Sequence, residues 1–312
     1  NTMNAKRITA LALALVMTLL LAACGSKTVV NDDGTKTEQT ERGVKVTQTA
    51  AKAVQTEKYE TADFSMTIPK GWTVTSGGTN IYHSIRVYDP AEPLNQMFVL
   101  LKADVLLHSQ AGKEAWQQNY SMGNTQAALF TKAAVLDNPS TEGFFKIFSQ
   151  YTAFAWEVEP AYSGYAFPRF DNFTVTDRYP SASPMKSSAL GDEQLRATFT
   201  DSGKEGEGLF AASVVDFGSF AISNGNVVGY QLQAVDGGYY MAYNIVAVTA
   251  AKDTFIEWEG VLTDCFKTLQ YSDSFVSATN QASNEKVALA QQISQNFNAT
   301  MDGFMKSEAK RS

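Results

Sequence analysis

Tyr239-Tyr240-Met241-Ala242-Tyr243-Asn244-Ile245-Val246-Ala247-Val248-Thr249, followed by Phe255, Trp258, Leu262, Cys265, Phe266 and Leu269, is the stretch that decides the fold. The first part is a strand rich in β-branched and aromatic residues. The second places apolar residues at helical spacing, giving an amphipathic helix from about Asp253 to Leu269. Cys265 falls on the apolar face of that helix and reads as a buried, inert thiol. Upstream, Val227–Val235 and Tyr239–Thr249 flank Asp236-Gly237, a hairpin signal. Leu195–Phe199 and Gly208–Phe217 flank a tip rich in Gly, Lys and Glu. Antiparallel meanders closed by a helix form an α+β arrangement.

The preceding part of the chain repeats the theme. Phe64, Met66 and Ile68 alternate with polar residues up to the turn at Pro69-Lys70-Gly71-Trp72, a strand with one buried face. Ile81–Tyr88 and Met97–Leu107 read as strands, and Ala111–Tyr120 as a helix. Asn138-Pro139 is a helix start, with a capping side chain and a proline in the first turn. Phe144, Phe148 and Tyr151 then share one face. Strands followed by a helix in both halves admit an internal duplication, although no residue-level repeat marks one.

Phe64-Ser65-Met66-Thr67-Ile68-Pro69-Lys70-Gly71-Trp72 resembles the entry strand of PsbP-like α+β domains. Tyr240-Met241-Ala242-Tyr243, Phe255 and Phe266-Lys267-Thr268-Leu269 are similar to their last strand and closing helix. The resemblance implies a sandwich of antiparallel sheet and helices, duplicated or carrying a large insertion, and serving as a binding or assembly module. It supplies no catalytic residues.

At the other end of the chain, Lys6 and Arg7 precede an apolar run from Ile8 to Leu21, then Ala22-Ala23-Cys24. A basic start, a short apolar core and small residues at the cut describe an export signal over 1–23. A spanning helix needs about 20 apolar residues, more than this run supplies. Leu21-Ala22-Ala23-Cys24 resembles the bacterial lipobox, which implies a diacylglycerol thioether on Cys24 and a chain held on the extracytoplasmic face of the cell membrane. The whole also resembles surface lipoproteins of Firmicutes. Met3 reads as the start, and an ordinary secretory signal is the bland alternative.

Gly25 to Thr56 holds seven threonines and no Leu, Ile, Met or aromatic residue. Such a segment lacks the apolar surface to offset its ordering entropy. Residues 24–56 are therefore expected to be the lipidated cysteine and a flexible tether. Alternatively, Val29-Val30 and Thr35-Lys36 form a small hairpin around Asn31-Asp32-Asp33-Gly34. Residues 57–275 are expected to be the globular domain and 276–312 a C-terminal amphipathic helix. Its stripe of Val287, Ala290, Ile293, Phe297, Met301 and Phe304 would pack on the domain or bind a partner, and the end reads as truncated.

The formal charge of the chain is −7. Removing Lys6 and Arg7 with the signal leaves 23 basic against 32 acidic residues, which disfavours nucleic acid as a partner. With Cys24 acylated, Cys265 has no disulfide partner, and burial must stabilise the domain. His83 and His108 are the only histidines, too few for a histidine metal site. No cofactor is expected. Ser-x-x-Lys occurs at Ser183–Lys186, Ser283–Lys286 and Ser307–Lys310 without a Lys-Thr-Gly partner. Glu157/Glu159, Glu205/Glu207 and Glu257/Glu259 are spaced as acid–base pairs but equally as surface charge.

Aromatic density is the remaining signal: eleven of the thirty residues from Phe144 to Phe173 are aromatic. Trp156, Tyr162, Tyr165 and Arg169 are the candidate ligand-binding residues, since loop aromatics stack on sugars or peptides and an arginine reads a carboxylate. The same rings would alternatively pin the loop to the domain. The expected function is a membrane-anchored, non-enzymatic binding or assembly module at the cell envelope. Its partners would be the membrane, through lipid on Cys24, and a cell-wall polymer, a peptide or an envelope protein. A solute-binding lipoprotein of a transporter and a cell-envelope hydrolase are the alternatives.

Overall fold

The structure, a computed structural model, describes residues 27–30, 35–40, 43–48, 52–181 and 183–282. Cys24, the signal segment and the stripe from Val287 onward lie outside the described residues. The chain forms two units, residues 1–49 with 311–312 and residues 50–310. In the first unit, β1 (Lys27–Val30), β2 (Thr35–Thr40) and β3 (Gly43–Gln48) pair as an antiparallel meander. Where a flexible tether was expected, the hairpin alternative is realised and extended by a third strand. Each strand carries β-branched threonine or valine, which suits extended backbone.

The second unit opens with β4 (Thr56–Glu60) and β5 (Phe64–Pro69). Next come β6 (Thr73–Gly77), β7 (Ser84–Tyr88) and the twelve-residue β8 (Gln96–Leu107). Helices α1 (Gln110–Ser121) and α2 (Ala128–Lys132), the two-residue β9 (Ala134–Val135), α3 (Thr141–Lys146) and α4 (Phe148–Val158) come next. Then follow β10 (Asp171–Pro180), β11 (Gly191–Asp201), β12 (Lys204–Gly218), β13 (Ala221–Val228), β14 (Gln231–Asp236) and β15 (Tyr239–Ala251). Finally, α5 (Phe255–Lys267), β16 (Gln270–Tyr271) and α6 (Asp273–Ala282) complete the unit.

One antiparallel sheet, in the order β10-β11-β12-β15-β8-β7-β6, carries the domain. Its β8 is buried along its whole length because both faces are covered. One face, with Phe98, Leu100, Phe199, Phe210 and Ile245, packs under α3 and α4, where Phe144, Phe145, Phe148 and Tyr151 are fully buried. The other face, with Met97, Val99, Leu209, Val246 and Val248, packs under α5 and the small sheet β16-β5-β4. Phe255, Trp258, Leu262, Cys265 and Phe266 are the buried stripe of α5, each large side chain contributing about 1.5–3 kcal/mol by leaving water. The architecture is α+β, as the alternation of apolar residues predicts. Phe275 of α6 packs into the second core beside Tyr271, with the half-buried Val276 against the same core.

Two local expectations are corrected. The helix expected at Asn138-Pro139 is capped instead by Ser140, whose Oγ accepts from the Gly143 amide at 2.9 Å. The chain before it folds back so closely that a Cβ on Gly143 would sit 2.0 Å from the Asn138 carbonyl oxygen. Asp236-Gly237 is not the hairpin turn either. The strand before it, β14, pairs with β13 around Gly229-Tyr230, whereas β15 pairs with β12 and β8. Gly229 has φ +66°, as a two-residue turn with glycine first requires.

Candidate functional site

The four residues expected to line a ligand face do not share a surface. Trp156 projects from α4 and is 53% exposed, with the Lys132 ammonium 5.6 Å from its ring centroid. Tyr162 is buried, its hydroxyl donating to the Tyr82 carbonyl and its ring edge-on to Phe167. Tyr165 packs against Gly77, where a Cβ would lie 2.6 Å from the ring, and its hydroxyl meets Ser84 Oγ at 2.9 Å. Burial pushes both phenols above their ordinary range. Arg169 is exposed and paired with Asp171 at 2.8 Å. The loop pins itself to the sheet because its rings find apolar surface and its hydroxyls find acceptors there.

Most carboxylates of the candidate acid–base pairs are engaged in structure. Arg196, buried on β11, draws Glu207 of β12 (2.7 Å) and Glu259 of α5 (3.3 Å) together over the Phe255 ring. Glu205 pairs with Lys252, and Glu157 with Lys132. Ser183 caps a short turn by accepting from the Met185 amide. Among the described residues, no three His, Cys, Asp or Glu side chains converge to hold a metal ion.

The two histidines occupy opposite environments. His83 is buried among Phe64, Tyr271 and Phe275, with Nδ1 3.2 Å from the Tyr271 hydroxyl. Burial lowers its pKa to about 4, against a smaller opposing pull from Asp63, so the ring is neutral near neutrality. His108, just past β8, lies between two carboxylates: Nδ1 is 2.8 Å from Asp236 Oδ2 and Nε2 3.0 Å from Asp216 Oδ1. Both contacts are hydrogen bonds only when both ring nitrogens carry protons.

Asp236 also accepts from Ser219 Oγ and from the amides of Phe220 and Gly238. Burial alone would raise its pKa, but the hydrogen bonds from His108, Gly238 and Ser219 outweigh that and hold it below the usual carboxylate value. A histidine acting as a general base needs a nitrogen facing its substrate. Here both nitrogens face carboxylates, and the cluster clasps the ends of β8, β12 and β14 together.

Beyond that clasp stands the ribbon β13–β14. From Phe217 to Val235 there is no Asp, Glu, Lys, Arg or His. The base of the ribbon is fixed to the domain: Asn119 Nδ2 donates to the Ser223 carbonyl at 2.7 Å, Trp116 Nε1 donates to the Gly237 carbonyl, and Phe217 stacks on Tyr239 at 4.3 Å. Its tip is not covered. Val227, Val228 and Leu232 are 60%, 63% and 65% exposed, and Tyr230 is fully exposed. Tyr120 and Met122, at the end of α1, are exposed as well. Sequence reasoning missed this surface by searching for charged and clustered aromatic residues. Its signal was a run of nineteen residues without charge in an acidic chain.

No family model matches the chain, and no curated protein matches it.

Proposed function

We propose that this chain is an extracytoplasmic lipoprotein, anchored to the cell membrane by lipid on Cys24, whose α+β domain is a non-enzymatic contact module of the cell envelope. The observation that carries the reading is the charge-free ribbon, which holds large apolar side chains in solvent. Contiguous exposed apolar surface of this kind marks interaction sites rather than ordinary protein exterior. The lipobox-like Leu21-Ala22-Ala23-Cys24 supports the anchor, since acyl chains bind a bilayer with about 0.8 kcal/mol per buried CH₂.

The antiparallel sheet speaks against the alternating β-α-β lobes usual in solute-binding lipoproteins. The doubly capped His108 speaks against the hydrolase alternative.

The test has two arms. Cys24→Ala is expected to abolish metabolic palmitate labelling and to leave unprocessed precursor, and unchanged labelling refutes the anchor. A photo-crosslinker at position 232 is expected to give adducts in whole cells that one at position 169 does not. Equal yields at the two positions refute the contact surface.

A further inference from the structure

We infer that the tip of the β13–β14 ribbon seats in the interfacial layer of a lipid bilayer. The inference rests on the reading of the ribbon as a contact surface and names its partner. Val227 and Val228 are successive strand residues and point to opposite faces of the ribbon, yet both stand in solvent. Across the ladder, Val227 faces Leu232 and Val228 faces Gln231. Beyond them the turn carries Tyr230. Each face of the tip therefore carries an exposed apolar side chain, Val227 with Leu232 on one and Val228 beside Gln231 on the other. A docked protein covers one face of a ribbon, whereas a bilayer interface surrounds the tip.

The ribbon is graded along its length. Val227 and Leu232 lie within about two residues of the turn, roughly 7 Å at ~3.3 Å per residue. Interfacial segments bury to about 5–10 Å, the same depth. Tyrosine, with an apolar ring and a polar tip, is enriched at that level. Amide side chains follow at Asn226 and Gln233, both exposed, while Gln231 stands beside the turn with Tyr230. The carboxylates Asp216 and Asp236 come last, at the base.

The ribbon is a two-stranded sheet whose ladder runs only between β13 and β14. Its outer backbone groups need water or headgroups, which limits the seat to the interface and excludes the hydrocarbon centre. With no basic residue between Phe217 and Val235, anionic lipid gives no attraction. Binding is driven by apolar burial and is indifferent to salt.

The test uses the full chain in phosphatidylcholine vesicles, in a Cys24→Ser background. A thiol-reactive fluorophore is placed at position 230 by Tyr230→Cys, or at position 156 by Trp156→Cys. Cys265 is buried and does not compete. The label at 230 is expected to be quenched several-fold more strongly than that at 156 by nitroxide on the upper acyl chain, equally in low and high salt. Adding Val228→Lys and Leu232→Lys is expected to lower the quenched fraction by about tenfold or more, a change of ~1.4 kcal/mol or more. Equal quenching at 230 and 156 overturns the inference. So does protection of the label at 230 that grows with protein concentration in the absence of vesicles, which identifies a second copy as the occupant. If the crosslinker at 232 captures an envelope protein while lipid quenching is absent, the bilayer seat fails and the contact reading stands.

Discussion

His83 makes the stability of the domain depend on pH in a defined window. The imidazole is buried against Phe64, Tyr271 and Phe275, and burial takes its pKa from 6.5 to about 4. The unfolded chain therefore binds a proton that the folded chain refuses between those values. Stability is full above about pH 6.5 and falls as the pH drops toward 4. At ~1.4 kcal/mol per unit the full swing is about 3 kcal/mol, of which about 2 kcal/mol is lost between pH 7 and pH 5.

Urea unfolding of the full chain at those two pH values is the assay. With a slope of about 2–3 kcal/mol per molar for a domain of this size, the midpoint falls by roughly 0.7 M. His83→Asn keeps a donor near the Tyr271 hydroxyl but does not titrate. It is expected to be less stable at both pH values and to lose most of the difference between them, because contributions from carboxylates cancel in the comparison. An unchanged pH difference in the variant, or a His83 resonance titrating near pH 6.5 in the folded protein, refutes the argument.

Phe145 is fully buried, stacked on Phe173 and edge-on to Phe210 and Phe170. Phe145→Ala is expected to cost about 3–5 kcal/mol in urea unfolding, and a loss below ~1.5 kcal/mol would contradict the packing described. Asp236→Ala removes the acceptor shared by His108, Ser219, Phe220 and Gly238. Hydrogen exchange should quicken at residues 218–238 with little change in β8 and β15, and unaltered protection of the Phe220 and Gly238 amides would show that the clasp does not hold the ribbon.

The α+β class was legible because it rests on periodicity. Alternation at Phe64, Met66 and Ile68, and the helical spacing from Phe255 to Leu269, both report faces that are in fact buried. The expected turn at Asp236-Gly237 failed for a reason no local window contains. The Asp236 side chain is claimed by His108, 128 residues away, while Gly229-Tyr230 supplies the turn. The aromatic loop failed likewise, since the Tyr162 and Tyr165 hydroxyls are satisfied by Tyr82 and Ser84 about eighty positions upstream. Composition counts rings but does not say whether acceptors await them inside. The exposed ribbon was written in the sequence as a missing charge, and a search for present chemistry passes over it.

The pairing at the centre of the sheet also governs when the domain can exist. β8, buried on both faces, is flanked by β15, so that residues 96–107 sit against residues 239–249. Until the chain has been made as far as β15, β8 lacks one neighbour and the central sheet remains open. Loop closure over some 140 residues comes before the contacts that reward it, which makes for slow, late and concerted folding. The second neighbour of β8 thus exists only after most of the domain has been synthesised, and the central sheet is completed last.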